Sequence, residues 1–141
     1  MYCVPFKAFG HENVTGKHKT TVEITSENFL TRQGTCIVGI QATQTLAGLD
    51  STIKELATLE TTKIVLVMEV NGIIEQVTGT GAPGLSYSDS MSMVARTSSY
   101  QCGRTLMIHS DKAASDLSKD FVKALKDSRA VMNCELHFIY Q

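Results

Sequence analysis

Displacing the sequence by 68 positions, without a gap, lays the apolar pattern of residues 38–70 over that of residues 106–138. Val38 and Ile40 meet Leu106 and Ile108. Leu46, Leu49, Ile53, Leu56 and Ala57 meet Ala114, Leu117, Phe121, Ala124 and Leu125, while Ile64, Leu66, Met68 and Val70 meet Met132, Cys134, Leu136 and Phe138. Each copy alone would leave an apolar face in water, so the pattern implies two similar strand-strand-helix-strand halves that cover one another. The halves span about 18–78 and 88–141, with a further strand at 2–9, inside a single domain over 1–141. The expected class is α+β and strand-dominated, with sandwich-like or barrel-like sheets and two amphipathic helices packed on them. The repeat also sets Met132, Cys134, Leu136 and Phe138 on the inward face of the last strand.

Local signals fill in the elements. Residues 2–9 read as a strand whose Pro5 suits a sheet edge. Residues 18–26 alternate, with Thr20, Val22 and Ile24 on one face, as a half-buried strand requires. A hairpin of these two would put His11 and His18 at opposite ends of its loop. Residues 34–42 form an apolar, β-branched run, and Thr43 or Thr45 can cap a helix reaching about Leu59. Asn71-Gly72 is the strongest turn signal in the chain, between strands at 63–70 and 73–78, because both residues tolerate positive φ. The glycine-rich run at 79–84 reads as a flexible connector. Strands at 91–96 and 104–110 are joined by a polar turn, Asp111 is placed to cap the second helix, and residues 130–140 close the chain as an alternating strand.

The charge balance bounds the partners. With 13 basic against 14 acidic residues and a formal net charge of -1, no global field draws the chain onto nucleic acid or an anionic membrane, although a local basic patch is compatible with these totals. No run of eighteen apolar residues and no charged start before an apolar stretch is present, so a soluble, intracellular, cytoplasmic protein is expected. Cys3, Cys36, Cys102 and Cys134 are scattered singly and read as reduced thiols, mostly buried.

No stretch has the spacing of an established catalytic or cofactor motif. The loop GHENVTGKH, residues 10–18, has one residue too many between its glycines for a phosphate-binding P-loop, and His18 stands where a magnesium-holding hydroxyl would be. His11 and His18 are candidate ligands for a shared metal ion, with Glu12 or Cys36 as a third. Cys36 with a histidine would make a nucleophile and base, given a nearby positive charge. Arg32, Arg96 and Arg104, with Lys17 and Lys19, can supply a basic patch for phosphate. The charged side of the second helix, including Lys119, Lys123 and Lys126, reads as a solvated face.

GHENVTGKHKTTVEIT, LTRQGTCIVGI and MVARTSSYQCGRTLMIHSDKAASDL together resemble an archaeal family, domain of unknown function 371. The resemblance implies a strand-dominated, sandwich-like fold and no established activity. It adds weight to His11, Asn13, His18, Arg96 and Arg104, which are polar members of the shared blocks. Thr35 departs from the acidic residue expected before Cys36, which counts against a metal or acid-base role there. The function expected is a non-enzymatic binding module for an anionic ligand, a phosphate-bearing metabolite or RNA, held by His18, Lys19, Arg96 and Arg104 with His11 and Asn13 nearby. The alternatives are a metal-assisted hydrolase or thiol enzyme using the His11/His18 loop, and a structural subunit that pairs its edge strands in a homo-oligomer.

Overall fold

The computed structural model describes residues 1–140, and in it eight strands form two four-stranded sheets. In chain order these are β1 (Tyr2–Phe9), β2 (Thr21–Thr25), β3 (Ile37–Gly39), β4 (Lys63–Val70), β5 (Ile73–Thr80), β6 (Ser92–Arg96), β7 (Thr105–Met107) and β8 (Val131–Ile139). Helix α1 (Ser51–Ala57) precedes β4; a 3₁₀ turn (Ala114–Asp116) and helix α2 (Lys119–Ala124) precede β8. The first sheet is antiparallel in the order β1-β8-β4-β5, and the second runs β3-β2-β6-β7. In the second the central pair β2·β6 is antiparallel and each outer pair parallel. Their facing side chains form one apolar core, including Val22, Ile24, Leu66, Met68, Ala95 and Leu136. Single bridges, Phe9 to Ile40 and Thr80 to Ile108, tie the sheets at two corners, and the strands do not close into a barrel.

The backbone hydrogen bonds recur along the chain. The N–H groups of His18 and Asp89 donate to the carbonyls of Thr35 and Gly103. Those of Glu23 and Val94 donate to Cys36 and Arg104, those of Gly10 and Gly81 to Ala130 and Thr62, and those of Ser115 and Ala47 to His18 and Asp89. By these bonds β1 and β2 match β5 and β6, and β3, α1 and β4 match β7, α2 and β8, which groups β5 with the second set and not with the half expected at 18–78, so the division falls at the Asn71-Gly72 turn. Gly10 and Gly81 occupy matching close approaches: a Cβ on Gly10 would collide with the carbonyl oxygens of Leu125 and Asp127, and one on Gly81 with those of Ala57 and Leu59. Only hydrogen fits at those positions.

Several local expectations are corrected. β1 and β2 do not pair with each other; β1 lies at the edge of the first sheet beside β8, and β2 is central in the second. β2 is buried on both faces: on its outer side the Thr21 N–H donates to His18 Nδ1, the Glu23 carboxylate accepts from Cys36 Sγ, and Thr25 Oγ1 donates to the Met91 carbonyl. The run at 79–84 is no free connector: Gly79 and Thr80 end β5, and the N–H groups of Gly81 and Ala82 bond Thr62 and Ala57.

Both helices are shorter than the apolar spacing suggests. Asp50 caps α1 by accepting the Ile53 N–H at 2.9 Å. Ser118 caps α2 at Phe121, after Leu117 has turned extended. The residues expected as caps serve the sheet edges: Thr43 Oγ1 accepts the Lys7 N–H and Asp111 Oδ1 the Thr78 N–H, each at 2.9 Å. Leu46, Leu49, Ala114 and Leu117 are nonetheless buried, since burial follows the core and not the helix.

Gly10→Ala and Gly81→Ala should each destabilise the fold by about 3 kcal/mol, the upper end for overpacking, because backbone carbonyls cannot rotate away. Gly72→Ala meets nothing within 4 Å and strains only a φ of 81°, so about 1 kcal/mol is expected. Urea midpoints of the three variants check the order.

Candidate functional site

The connection from β1 to β2 carries most of the polar residues singled out in the sequence, and backbone bonds shape it. The His11 N–H donates to the Leu125 carbonyl at 2.8 Å, and the Ser115 N–H donates to the His18 carbonyl at 2.9 Å. The side chains are occupied in the same way. His11 Nδ1 accepts the Asn13 N–H at 3.0 Å, Asn13 Nδ2 donates to the Leu30 carbonyl at 2.8 Å, and His18 Nδ1 accepts the N–H groups of Thr20 and Thr21 at 3.2 Å. Among the described residues, His11, His18, Glu12 and Cys36 form no group of three metal-ligating atoms.

So held, the stretch 15–19 faces α2 and the 3₁₀ turn across a groove of about 560 Å³. Leu117 and Val122 give it an apolar wall, and Lys17, Lys19, Lys119, Lys123 and Lys126 surround it. Among the described residues no carboxylate lines it, and none of these five ammonium groups is in an ion pair. The Thr15 hydroxyl in the same wall is buried without a hydrogen-bond partner. The matching positions in the other half are Ser88, Ser90, Ser51, Glu55 and Thr58. None of these matching positions carries a basic side chain.

Arg96 lies elsewhere, on the outer face of the second sheet. Its Nε donates to Thr105 Oγ1 at 2.8 Å, its Nη2 approaches Cys102 Sγ at 3.6 Å, and its guanidinium stacks 4.8 Å from the Tyr100 ring centre. Arg32 and Arg104 are exposed and do not line the groove. Of the sequence candidates, Lys17 and Lys19 meet there, and three lysines of the helix face complete the set. The signal for them is their i, i+4, i+7 spacing, which is equally that of an ordinary solvated stripe.

The thiols are not mostly buried as expected: Cys134 is buried, Cys3 is exposed, and Cys36 and Cys102 are half-buried on the outer face of the second sheet, set apart by their neighbours. Burial, then the Glu23 charge and the hydrogen bond to its carboxylate, push Cys36 up to about 11. Burial also acts to raise Cys102, but hydrogen bonds from Thr105, the Arg104 backbone and Arg96, with the charge of Arg96, outweigh it and leave this thiol below its ordinary value. Cys36 is thus a protonated donor to a carboxylate at neutral pH, with no histidine base bonded to it.

This two-sheet, strand-dominated α+β protein with a lysine-lined groove belongs to a family of domains of unknown function. Residues 6–139 match the family described as DUF371. The chain is similar to the uncharacterized protein MJ0206 of Methanocaldococcus jannaschii, with 40% identity over 126 residues, covering 89% of this chain and 93% of that one. Among the described residues no helix is long and apolar enough to cross a membrane.

At neutral pH, alkylation followed by peptide mass mapping should label Cys102 well ahead of Cys36, whose rate should climb only as pH approaches about 11. The folded Cys36 keeps a proton that the unfolded chain releases from about pH 9.0, so its contribution to stability should be lost between 9.0 and about 11. Glu23→Gln should move both effects to lower pH.

Proposed function

We propose that the protein is a non-enzymatic binding module for a phosphate-bearing ligand, a phosphorylated metabolite or the backbone of RNA, held in the groove between residues 15–19 and α2. The observation that carries this reading is the meeting of five unpaired lysines around one groove in a chain whose formal net charge is -1. Like charges at this density repel one another, and an anion relieves that repulsion. The groove volume lies in the range of small-ligand sites, roughly 300–1,000 Å³. The apolar wall of Leu117 and Val122 offers a surface for the uncharged part of a ligand. The recurrent hydrogen bonds also support descent of the two halves from one duplicated unit, so lysines present in only one half call for a reason outside the fold.

Lysine ammonium groups recognise phosphate as point charges without fixing its orientation. The reading therefore predicts binding that depends strongly on salt. For a single-stranded nucleic acid, log K should fall against log salt with a slope of about -0.7 for each phosphate neutralised. Nucleotide triphosphates and single-stranded RNA should both be titrated at low salt. Saturation at one nucleotide per chain with no gain from RNA length would identify the metabolite, and affinity rising with RNA length would identify the polymer. Lys19→Gln with Lys123→Gln should weaken binding about tenfold or more and make the slope shallower by about 0.7 for each phosphate no longer held. Lys63→Gln, an exposed lysine on β4 outside the groove, should leave it unchanged. Absence of binding to either ligand at low salt, or equal affinity in all three proteins, would overturn the proposal.

A further inference from the structure

A second cluster of chemically capable side chains lies on the first sheet and shares no residue with the lysine groove. Cys3 and His137 stand opposite each other across the β1–β8 ladder. Glu135 precedes His137 by two residues and therefore projects from the same face of β8. One ligating atom from each of the three lies within 4.8 Å of the others, and His137 Nε2 is 2.8 Å from Glu135 Oε1. Tetrahedral zinc, with bonds of about 2.3 Å to sulfur and about 2.0 Å to nitrogen and oxygen, holds neighbouring ligand atoms about 3.3–3.6 Å apart. Closing these side chains around an ion takes rotamer adjustments on the order of 1 Å, with the backbone of the paired strands unmoved.

The geometry points to a site for a zinc-class divalent cation formed by Cys3 Sγ, the Glu135 carboxylate and His137 Nε2, with the fourth position open to solvent. The donor set selects the class. Thiolate and imidazole suit zinc and its borderline neighbours, whereas magnesium and calcium require oxygen throughout. A thiolate and a carboxylate together balance the two charges of the ion. Cys3 and Glu135 are exposed, so water can occupy the fourth position, as it does where three protein ligands hold zinc. Glu135 also lines a cleft of about 640 Å³ that runs past Lys7, Asn133 and Glu69, giving an exogenous ligand room beside the ion.

The fold does not ask for these residues. Their counterparts in the other half are Ile74, Val67 and Glu69, with Ile74 and Glu69 paired across the ladder as Cys3 and His137 are. Without an ion the cluster resists ionising its thiol, since burial and then the negative Glu135 raise Cys3 above its ordinary value. Ion binding must therefore displace that proton into solution.

Untagged protein, stripped with chelator and titrated with Zn²⁺ and with Co²⁺, tests the site. Expected are one ion per chain, proton release on zinc addition, and for cobalt a thiolate charge-transfer band with the visible bands of tetrahedral coordination. Cys3→Ser should abolish the charge-transfer band. His137→Ala should weaken binding by more than the roughly 10–100-fold that loss of an outer-shell partner costs. His11→Ala with His18→Ala should change neither. All these side chains are exposed or half-buried, so each variant should fold, which circular dichroism checks. A wild-type protein that gives no thiolate band with excess cobalt, or a band that survives in Cys3→Ser, overturns the assignment.

Discussion

Everything in this fold depends on the pairing of β8 between β1 and β4. In the order β1-β8-β4-β5 the strands come alternately from residues before and after the Asn71-Gly72 turn. Every ladder of the first sheet therefore joins one half of the chain to the other, and Tyr2 lies opposite Phe138. Neither half can build that sheet alone. Among the described residues the strand pairs within one half are the short parallel contacts β2·β3 and β6·β7, which cannot bury enough apolar surface to offset the entropy of ordering the chain. The glycine necks at Gly10 and Gly81 follow from the same constraint. After leaving an edge strand, the chain must pass directly against the carbonyls that follow the helix of the other half.

Against these recurrent backbone hydrogen bonds the candidate chemistry is one-sided. The positions that pack are apolar in both halves, while the lysine groove answers to serines, a glutamate and a threonine, and the Cys3-Glu135-His137 cluster answers to Ile74, Val67 and Glu69. The polar residues that do carry folding duty look different. Thr43 and Asp111 make the same bond to an edge strand, and His11 Nδ1, Asn13 Nδ2 and His18 Nδ1 each bond a backbone group and so shape the connections around β2. Arg96 joins this second group through Thr105 and Tyr100.

The readable elements are those whose signal is local and strong. The strands at 63–70 and 131–139, the Asn71-Gly72 turn with φ of 51° and 81°, and the inward set Met132, Cys134, Leu136 and Phe138 all follow from alternation and turn chemistry. The helices fall short of their apparent length because apolar residues three and four apart mark burial against a curved core as readily as they mark a helix. Asp50 and Ser118 start the helices later than the spacing suggests. The alternation of β2 promises one wet face, and the partners His18, Cys36 and Met91 on that side leave it buried. In the candidate site, Lys17 and Lys19 are visible as a local basic pair, but their meeting with Lys119, Lys123 and Lys126 needs residues about a hundred positions apart.

By itself, then, the amino-acid sequence determined the strand-rich class, most of the apolar core, and the repeated apolar pattern, because hydrophobic periodicity and positive-φ turns act over a few residues. Only the tertiary structure decided which strands pair, which carboxylates and hydroxyls cap helices or hold edges, and which charges converge. Those outcomes depend on distances between segments far apart in the chain, and no local pattern encodes them. The stretch at residues 93–125 illustrates the division: its apolar members belong to the core as their spacing implies, while Lys119 and Lys123 acquire their meaning from a loop at residues 15–19 that the β8 pairing brings alongside.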